Sequence, residues 1–303
     1  MNPFAVMVPC STSNLGSGFD SIGMALSGPD LILRVKPGGE RLRISRLSGE
    51  GEDRLPRDAT NRVIQAAHHA AAGKDPAALA ADLELHSSIP LKRGLGSSAA
   101  AALAGAMAAD HLLGGAIGEE GVLRTAVEME GHPDNVVPAL RGGAQVSVRT
   151  ADGRVLSCAI PIKMSMRAAL YIPDQELATS AARAVLPRQV PLEDAVFNLS
   201  RSALLVAALA QGRLELLADA MDDRLHQQAR SGLLPWLPDV LAAAKSAGAW
   251  GAALSGAGTT VCALVSAEAA RGVAEAMGQA AAEHRVAGRS EIVEVGVPGA
   301  RIV

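Results

Sequence analysis

The segment Pro90-Leu-Lys-Arg-Gly-Leu-Gly-Ser-Ser-Ala-Ala100 sets two glycines and two hydroxyls at the mouth of an alanine-rich run. Free backbone N–H groups at a helix start, with the helix dipole behind them, attract negative charge. Gly94 and Gly96 let the backbone approach a ligand without a Cβ in the way, and Ser97 or Ser98 can cap the helix. The pattern reads as an anion site, most simply for the phosphates of ATP. Upstream, Leu83, Leu85 and Ile89 occupy alternating positions and predict a short strand, while Ala99 to Leu113 has strong helix propensity. The motif therefore sits between strand and helix. Taken alone, the same turn could do nothing more than cap that helix.

Two familiar phosphate motifs fit less well. A Walker A loop needs Gly-Lys-Ser/Thr after its last glycine, and Gly96 is followed by Ser97-Ser98. Gly94-Leu-Gly96-Ser-Ser-Ala99 satisfies the loose dinucleotide fingerprint, but no βαβ start precedes it. Its nearest downstream acid, Asp110, falls inside the predicted helix.

The full pattern Pro-x-x-x-Gly-Leu-Gly-Ser-Ser-Ala resembles the central motif of the GHMP kinases, a superfamily of small-molecule kinases. Three further segments agree in order. Val8-Pro-Cys-Ser-Thr-Ser-Asn14-Leu-Gly-Ser-Gly-Phe-Asp20-Ser-Ile-Gly23 is similar to the first motif of the homoserine kinases within it. Glu130-Gly-His132-Pro-Asp134-Asn135-Val-Val-Pro138-Ala resembles their His-x-Asp-Asn segment, and Gly251-Ala-Ala-Leu-Ser-Gly256-Ala-Gly258 resembles the superfamily's third motif. The resemblance spans roughly Val8 to Val265.

It implies an ATP- and Mg²⁺-dependent kinase with L-homoserine as acceptor, and a two-domain α+β fold with the site in the cleft between domains. The turn-rich composition near 155–165 puts the division there, giving an ATP-binding domain over 1–158 and a C-terminal domain over 159–303. The implied nucleotide site takes Pro90, Leu91, Lys92, Arg93, Gly94, Leu95, Gly96, Ser97, Ser98, Ala99 and Ala100, with Asn61 and Val63 contributing near the base. An ordinary helix start capped by Thr60 explains the last pair equally well. Ser98 and Glu128 match the magnesium ligands, Glu130 being the fallback, because a hard cation takes oxygen ligands and few protein carboxylates.

For the acceptor, the resemblance brings in Asn14 and Asp20 near the amino group, His132 and Asn135 at the hydroxyl end, and Gly256 in the third motif. Arg183 and Arg230 match the arginines that fork onto the carboxylate, a geometry lysine reproduces poorly. Arg224 competes with Arg230, because Gln227-Gln-Ala-Arg230 lacks the family's usual preceding residues. Asp134 is the nearest candidate base. The reading adopted is that Asp134 holds the loop, Asn135 orients the acceptor and no carboxylate base is required, since a loose phosphoryl-transfer transition state makes little demand on the attacking oxygen. Competing readings are another alcohol kinase of the superfamily and a ligand-binding regulator that has lost turnover. A homodimer is implied by resemblance alone.

The remaining chain must supply the frame. Leu31–Val35, Arg41–Ser45, Gln145–Arg149, Ala168–Ile172 and Glu291–Val295 read as strands; 61–72, 194–211, 213–228, 237–247 and 268–284 read as helices, with a glycine turn and strand over 251–265. This mixture argues for α+β over a doubly wound sheet. With 303 residues the chain can bury a sizeable core. A net charge of −3 and only six aromatic residues disfavour nucleic-acid binding. Cys10, Cys158 and Cys262 are too dispersed for a metal cluster and read as buried apolar residues of a reducing compartment. The start carries no Lys or Arg before Pro9 and reads as no signal peptide, so the expected location is the cytoplasm.

Overall fold

In the computed structural model, which describes residues 1–162 and 165–303, each glycine-rich motif lies where a strand hands over to a turn or helix. The first part of the chain runs β1 (Phe4–Asn14), β2 (Gly18–Pro37), β3 (Leu42–Gly49), α1 (Arg62–Ala70) and β4 (Ala81–Ser87). It continues through α2 (Ser97–Leu112), α3 (Gly118–Glu130), α4 (Val136–Arg141), β5 (Ala144–Arg149) and β6 (Val155–Ile160). There follow β7 (Arg167–Pro173), α5 (Thr179–Ala184), α6 (Leu192–Gln211), α7 (Leu217–Ala220), α8 (Gln227–Ser231) and α9 (Leu237–Ser246). The chain ends with β8 (Gly251–Leu254), β9 (Val261–Val265), α10 (Ala270–Glu283), β10 (Gly288–Glu294) and β11 (Arg301–Ile302).

The strands form a seven-stranded sheet with the path β11-β1-β2-β4-β3, extended by β5 and β6 off β2, and a four-stranded sheet ordered β10-β7-β9-β8. This is the expected mixed fold. The twenty-residue β2 pairs with β1 along one edge and with two strands along the other: Ile22–Met24 pairs with β5, and Leu31–Pro37 pairs with β4. β6 runs across the expected boundary at 158, so the first sheet ends after Ile160, and β11 returns to that sheet beside β1.

Alanine composition has a structural use in α2, which is buried on nearly every side and lies at the centre of the larger core. Gly105 lets α1 pack against it closely: a Cβ there would lie 2.1 Å from the Val63 carbonyl oxygen. A second core joins α9 and α10 to the four-stranded sheet.

Several local expectations change. The cap of α2 is Gly96, in the left-handed conformation, and neither Ser97 nor Ser98 caps it. α1 is capped by Asn61, whose side chain accepts from the Val63 N–H, and not by Thr60. The continuous helix expected over 213–228 is broken into short pieces, because Asp223 takes the backbone N–H groups of Leu225, His226 and Gln227 into a turn. Cys10 and Cys262 are buried, but Cys158 is exposed on β6. Among the described residues no helix is long and apolar enough to cross a membrane.

Candidate active site

The phosphate-type loop turns its carbonyls inward. Those of Lys92, Arg93, Gly94 and Leu95 accept, in order, from Leu177 N at 3.0 Å, Thr260 N at 3.1 Å, Ser255 Oγ at 2.6 Å and Ser11 N at 3.2 Å. Among the described residues, the backbone N–H groups of Gly94 through Ala99 have no acceptor, and they gather at the start of α2. Such a nest is electropositive without any side chain. Two glycines make it possible: a Cβ on Gly94 would lie 2.0 Å from the Ser255 carbonyl oxygen, and one on Gly96 would lie 2.4 Å from Ser11 Oγ. Both also have positive φ. The Leu95, Ala99 and Ala100 side chains face the core, so these residues can offer a ligand only backbone.

Charge at the loop is less than the sequence suggests. Arg93 spends its guanidinium on the carbonyls of Pro173 and Asp174, at 2.7 and 2.8 Å, and so ties the loop to the end of β7. Lys92 Nζ lies 3.6 Å from Glu176.

Ser98 Oγ donates to Glu130 Oε1 at 2.6 Å, and Arg62 pairs with the same oxygen. Glu130 is nearly buried and lines the cleft. Glu128 points elsewhere: it is exposed and 2.8 Å from His69 Nε2. The expectation that Glu128 joins Ser98 is therefore corrected in favour of Glu130. The two acids are two residues apart on α3, which turns their side chains to nearly opposite faces. Ser98 and Glu130 present adjacent oxygens beside the nest, a donor set suited to a hard divalent cation.

Next to this lies an apolar recess of about 300 Å³ whose lining includes Leu31, Leu55, Pro56, Leu85, Leu91 and Ala101, with Ser97 and Ser98 at its junction with the cleft. Asn61 borders it but is occupied, accepting from Val63 N and donating to the Pro56 carbonyl oxygen at 2.6 Å. Val63 is fully buried in the core and does not reach the recess. Its expected part in the nucleotide pocket is corrected to a packing one.

The main cleft, of about 330 Å³, brings the nest together with Asn14, Asp20, His132, Asp134, Asn135, Arg183, Arg230 and Gly256. Pro90 borders it too. Arg183 grips Asp20 with two bonds, Nη2–Oδ1 at 2.7 Å and Nη1–Oδ2 at 3.0 Å. Hydrogen bonding to Asp20 raises the Arg183 guanidinium further above its ordinary value, against a smaller effect of burial. Arg230 is 1% exposed, and burial, with Arg183 nearby, pulls it down to about 10. It donates to the Gly256 carbonyl oxygen at 2.9 Å. Arg224, in contrast, sits on the surface against Asp194 and Phe197, so of the two it is Arg230 that lines the cleft.

Two asparagines of the cleft also bond within the protein. Asn14 donates to the Gly256 carbonyl oxygen at 2.8 Å and accepts from Asp20 N at 3.1 Å, joining the first motif to the third. Asn135 Nδ2 donates to Ser11 O at 3.3 Å and Ser11 Oγ at 3.0 Å, while its Oδ1 accepts from Ser13. With both N–H groups committed, Asn135 braces the floor of the cleft and keeps only the second lone pair of Oδ1 for a ligand. Asp134 is buried and hydrogen-bonded to His132 Nδ1. Burial pushes the His132 imidazole down, but the hydrogen bond and charge of Asp134, with Asp20 behind, outweigh it and leave it raised.

Sequence reasoning passed over Arg62, Phe19 and His226. Phe19 lies inside the quoted Gly-Phe-Asp signature, and its ring centroid is 5.7 Å from the Arg183 guanidinium carbon and 5.6 Å from that of Arg230. No local pattern marked the other two.

The cleft can thus hold an anion on backbone amides, a divalent cation on oxygen ligands, and a small zwitterion between two arginines and an aspartate. Comparison with known proteins agrees. Residues 61–143 match the family described as GHMP kinases N terminal domain, and residues 205–283 match GHMP kinases C terminal. The chain is 39% identical over 298 residues to the homoserine kinase of Desulfitobacterium hafniense, covering 98% of this chain and 99% of that one. It is 43% identical over 262 residues to the homoserine kinase of Moorella thermoacetica, covering 86% of each. The crystal structure of homoserine kinase from Cytophaga hutchinsonii superposes with a TM-score of 0.89 at 31% identity, covering 100% of this chain and 98% of that one.

Proposed function

Because the chain belongs to the homoserine kinase family of the GHMP kinases, we propose that this cleft transfers the terminal phosphoryl group of ATP to the hydroxyl of L-homoserine. The chain is an ATP-dependent small-molecule kinase. The observation that carries the site assignment is the run of N–H groups at Gly94 through Ser98, unbonded among the described residues, which opens into the same cleft as Asp20, Arg183 and Arg230.

The triphosphate lies on the nest, where fixed amide dipoles offset charge without having to reorganise. The base occupies the apolar recess bordered by Leu55, Pro56 and Leu91. Ser98 and Glu130 would hold Mg²⁺, which would offset the charge of the phosphate oxygens. Arg62 holds the Glu130 carboxylate in place beside Ser98. Arg230 and Arg183 receive the acceptor's carboxylate, and Asp20 receives its ammonium group, so that the acceptor displaces the Arg183–Asp20 pair and replaces each partner's charge. Fixing the hydroxyl against the phosphate in this way supplies orientation, the contribution that loose phosphoryl transfer most needs.

Asp134 positions His132 and takes no proton from the acceptor; as the bond to phosphorus forms and the bond to ADP breaks, the alcohol proton passes to an oxygen of the transferred phosphoryl group. The reaction belongs to amino-acid biosynthesis, on the way to threonine, and is placed in the cytoplasm. Incubation with ATP, Mg²⁺ and L-homoserine, followed by phosphorus NMR, tests the product: a new phosphomonoester coupled to the side-chain methylene supports the reading, and inorganic phosphate without that ester contradicts it.

A further inference from the structure

His226 is fully buried beneath the cleft. Its Nε2 lies 2.9 Å from the Gly16 carbonyl oxygen, and its Nδ1 lies 3.1 Å from Arg230 Nη1. A carbonyl oxygen only accepts and a guanidinium only donates. The two contacts therefore fix one tautomer, with the proton on Nε2 and the lone pair of Nδ1 turned to Arg230. Burial pushes the imidazole below its ordinary value, against the opposing charge of Asp223 and aided by that of Arg230, which keeps the ring neutral. Phe19 stacks on it with ring centroids 5.1 Å apart. Asp223 holds the backbone that carries it through the N–H groups of His226 and Gln227.

Arg230 itself has no carboxylate within ion-pair distance among the described residues, unlike Arg183, which has Asp20. Its anchors are a histidine nitrogen and the carbonyls of Ala182 and Gly256, all neutral. An anchoring aspartate would orient the guanidinium equally well but would cancel its charge and compete with an incoming carboxylate. A neutral acceptor orients it and leaves the positive charge for the ligand.

We propose that His226 is a positioning residue for acceptor selection, its Nδ1 aiming Arg230, which no carboxylate pairs directly, into the cleft for the acceptor's carboxylate. This rests on the reading that Arg230 receives that carboxylate.

Two substitutions separate the two nitrogens. In His226→Asn the side-chain oxygen can stand where Nδ1 stood and keep the Arg230 contact. In His226→Gln the amide N–H can stand where Nε2 stood and keep the Gly16 contact, but Arg230 loses the histidine acceptor and keeps only the carbonyls of Ala182 and Gly256. Steady-state kinetics should show the acceptor KM raised about tenfold in the glutamine variant, with the ATP KM unchanged and the asparagine variant close to wild type. Equal effects of the two variants, or an unchanged acceptor KM in a folded glutamine variant, would overturn the proposal. Nitrogen-15 NMR of histidine-labelled wild-type protein needs no variant: a proton found on Nδ1 of His226 would overturn it as well. Arg230→Met, measured alongside, distinguishes the two layers. If that change leaves the acceptor KM alone, the underlying assignment of Arg230 fails; if it raises KM while His226→Gln does not, only the role of His226 fails.

Discussion

Arg183 and Asp20, 163 residues apart in sequence, meet in a two-bond fork at the mouth of the cleft. Each is the other's stand-in for half of a zwitterion: the guanidinium for an ammonium, the carboxylate for a carboxylate. Binding a zwitterionic acceptor exchanges one ion pair for two and leaves neither charge stranded, which is costly in a half-buried site. Asp20→Asn is therefore expected to raise the acceptor KM by about tenfold or more while leaving the ATP KM in place, as for loss of a hydrogen bond to a charged group. Initial rates at varied L-homoserine and saturating ATP check this.

The left-handed loop at Gly94 admits no side chain, since a Cβ would meet the Ser255 carbonyl oxygen. Gly94→Ala should cost about 1–3 kcal/mol of folding stability from backbone strain alone. Because the displaced backbone carries the nest, the ATP KM should rise more than the acceptor KM. Chemical denaturation and nucleotide titration separate the two effects.

Glu130 and Glu128 should part company in their response to Mg²⁺. Glu130→Gln weakens the oxygen donor set beside Ser98 and should move half-maximal activity to higher Mg²⁺ concentration. Glu128→Gln, which disturbs only an exposed contact with His69, should not move it. Activity as a function of free Mg²⁺ in both variants is the check.

His132 holds its proton more tightly in the folded protein than the ordinary value of 6.5, because Asp134 and Asp20 outweigh burial. The stability this contributes is fully present below pH 6.5 and is lost as pH rises through the raised folded value. Asp134→Asn removes one of those charges and should lower the His132 titration followed by NMR, with less stabilisation at acid pH. If Asp134 only positions this histidine, turnover in the variant should fall by less than about a hundredfold; a general base would cost more.

How far the sequence disclosed this site depends on whether the signal is local. The nest at Gly94 to Ser98 was legible because glycine spacing, hydroxyls and helix start are all contiguous. The choice between Glu128 and Glu130 was not, because which face of α3 meets the cleft is set by packing against α1 and α2. Arg230 over Arg224 was undecidable for a similar reason: the expected helix over 213–228 is interrupted by the Asp223 turn, which buries one arginine and leaves the other on the surface. Asn14 and Asn135 both line the cleft, as their motifs suggest, but sequence cannot show that Asn14 also bonds Gly256 or that Ser11 takes both N–H groups of Asn135. Strands β1, β6 and β11 escaped pattern reading, the first because its turn-forming and hydroxyl residues mask the alternation.

The most direct measurement is ADP release by the purified protein with ATP and Mg²⁺, comparing L-homoserine with mevalonate, galactose, shikimate and no acceptor. The account expects stimulation by L-homoserine alone, since only it presents both a carboxylate for Arg183 and Arg230 and an ammonium for Asp20. Stimulation by an acceptor lacking either charge, or release indifferent to all of them, would contradict it.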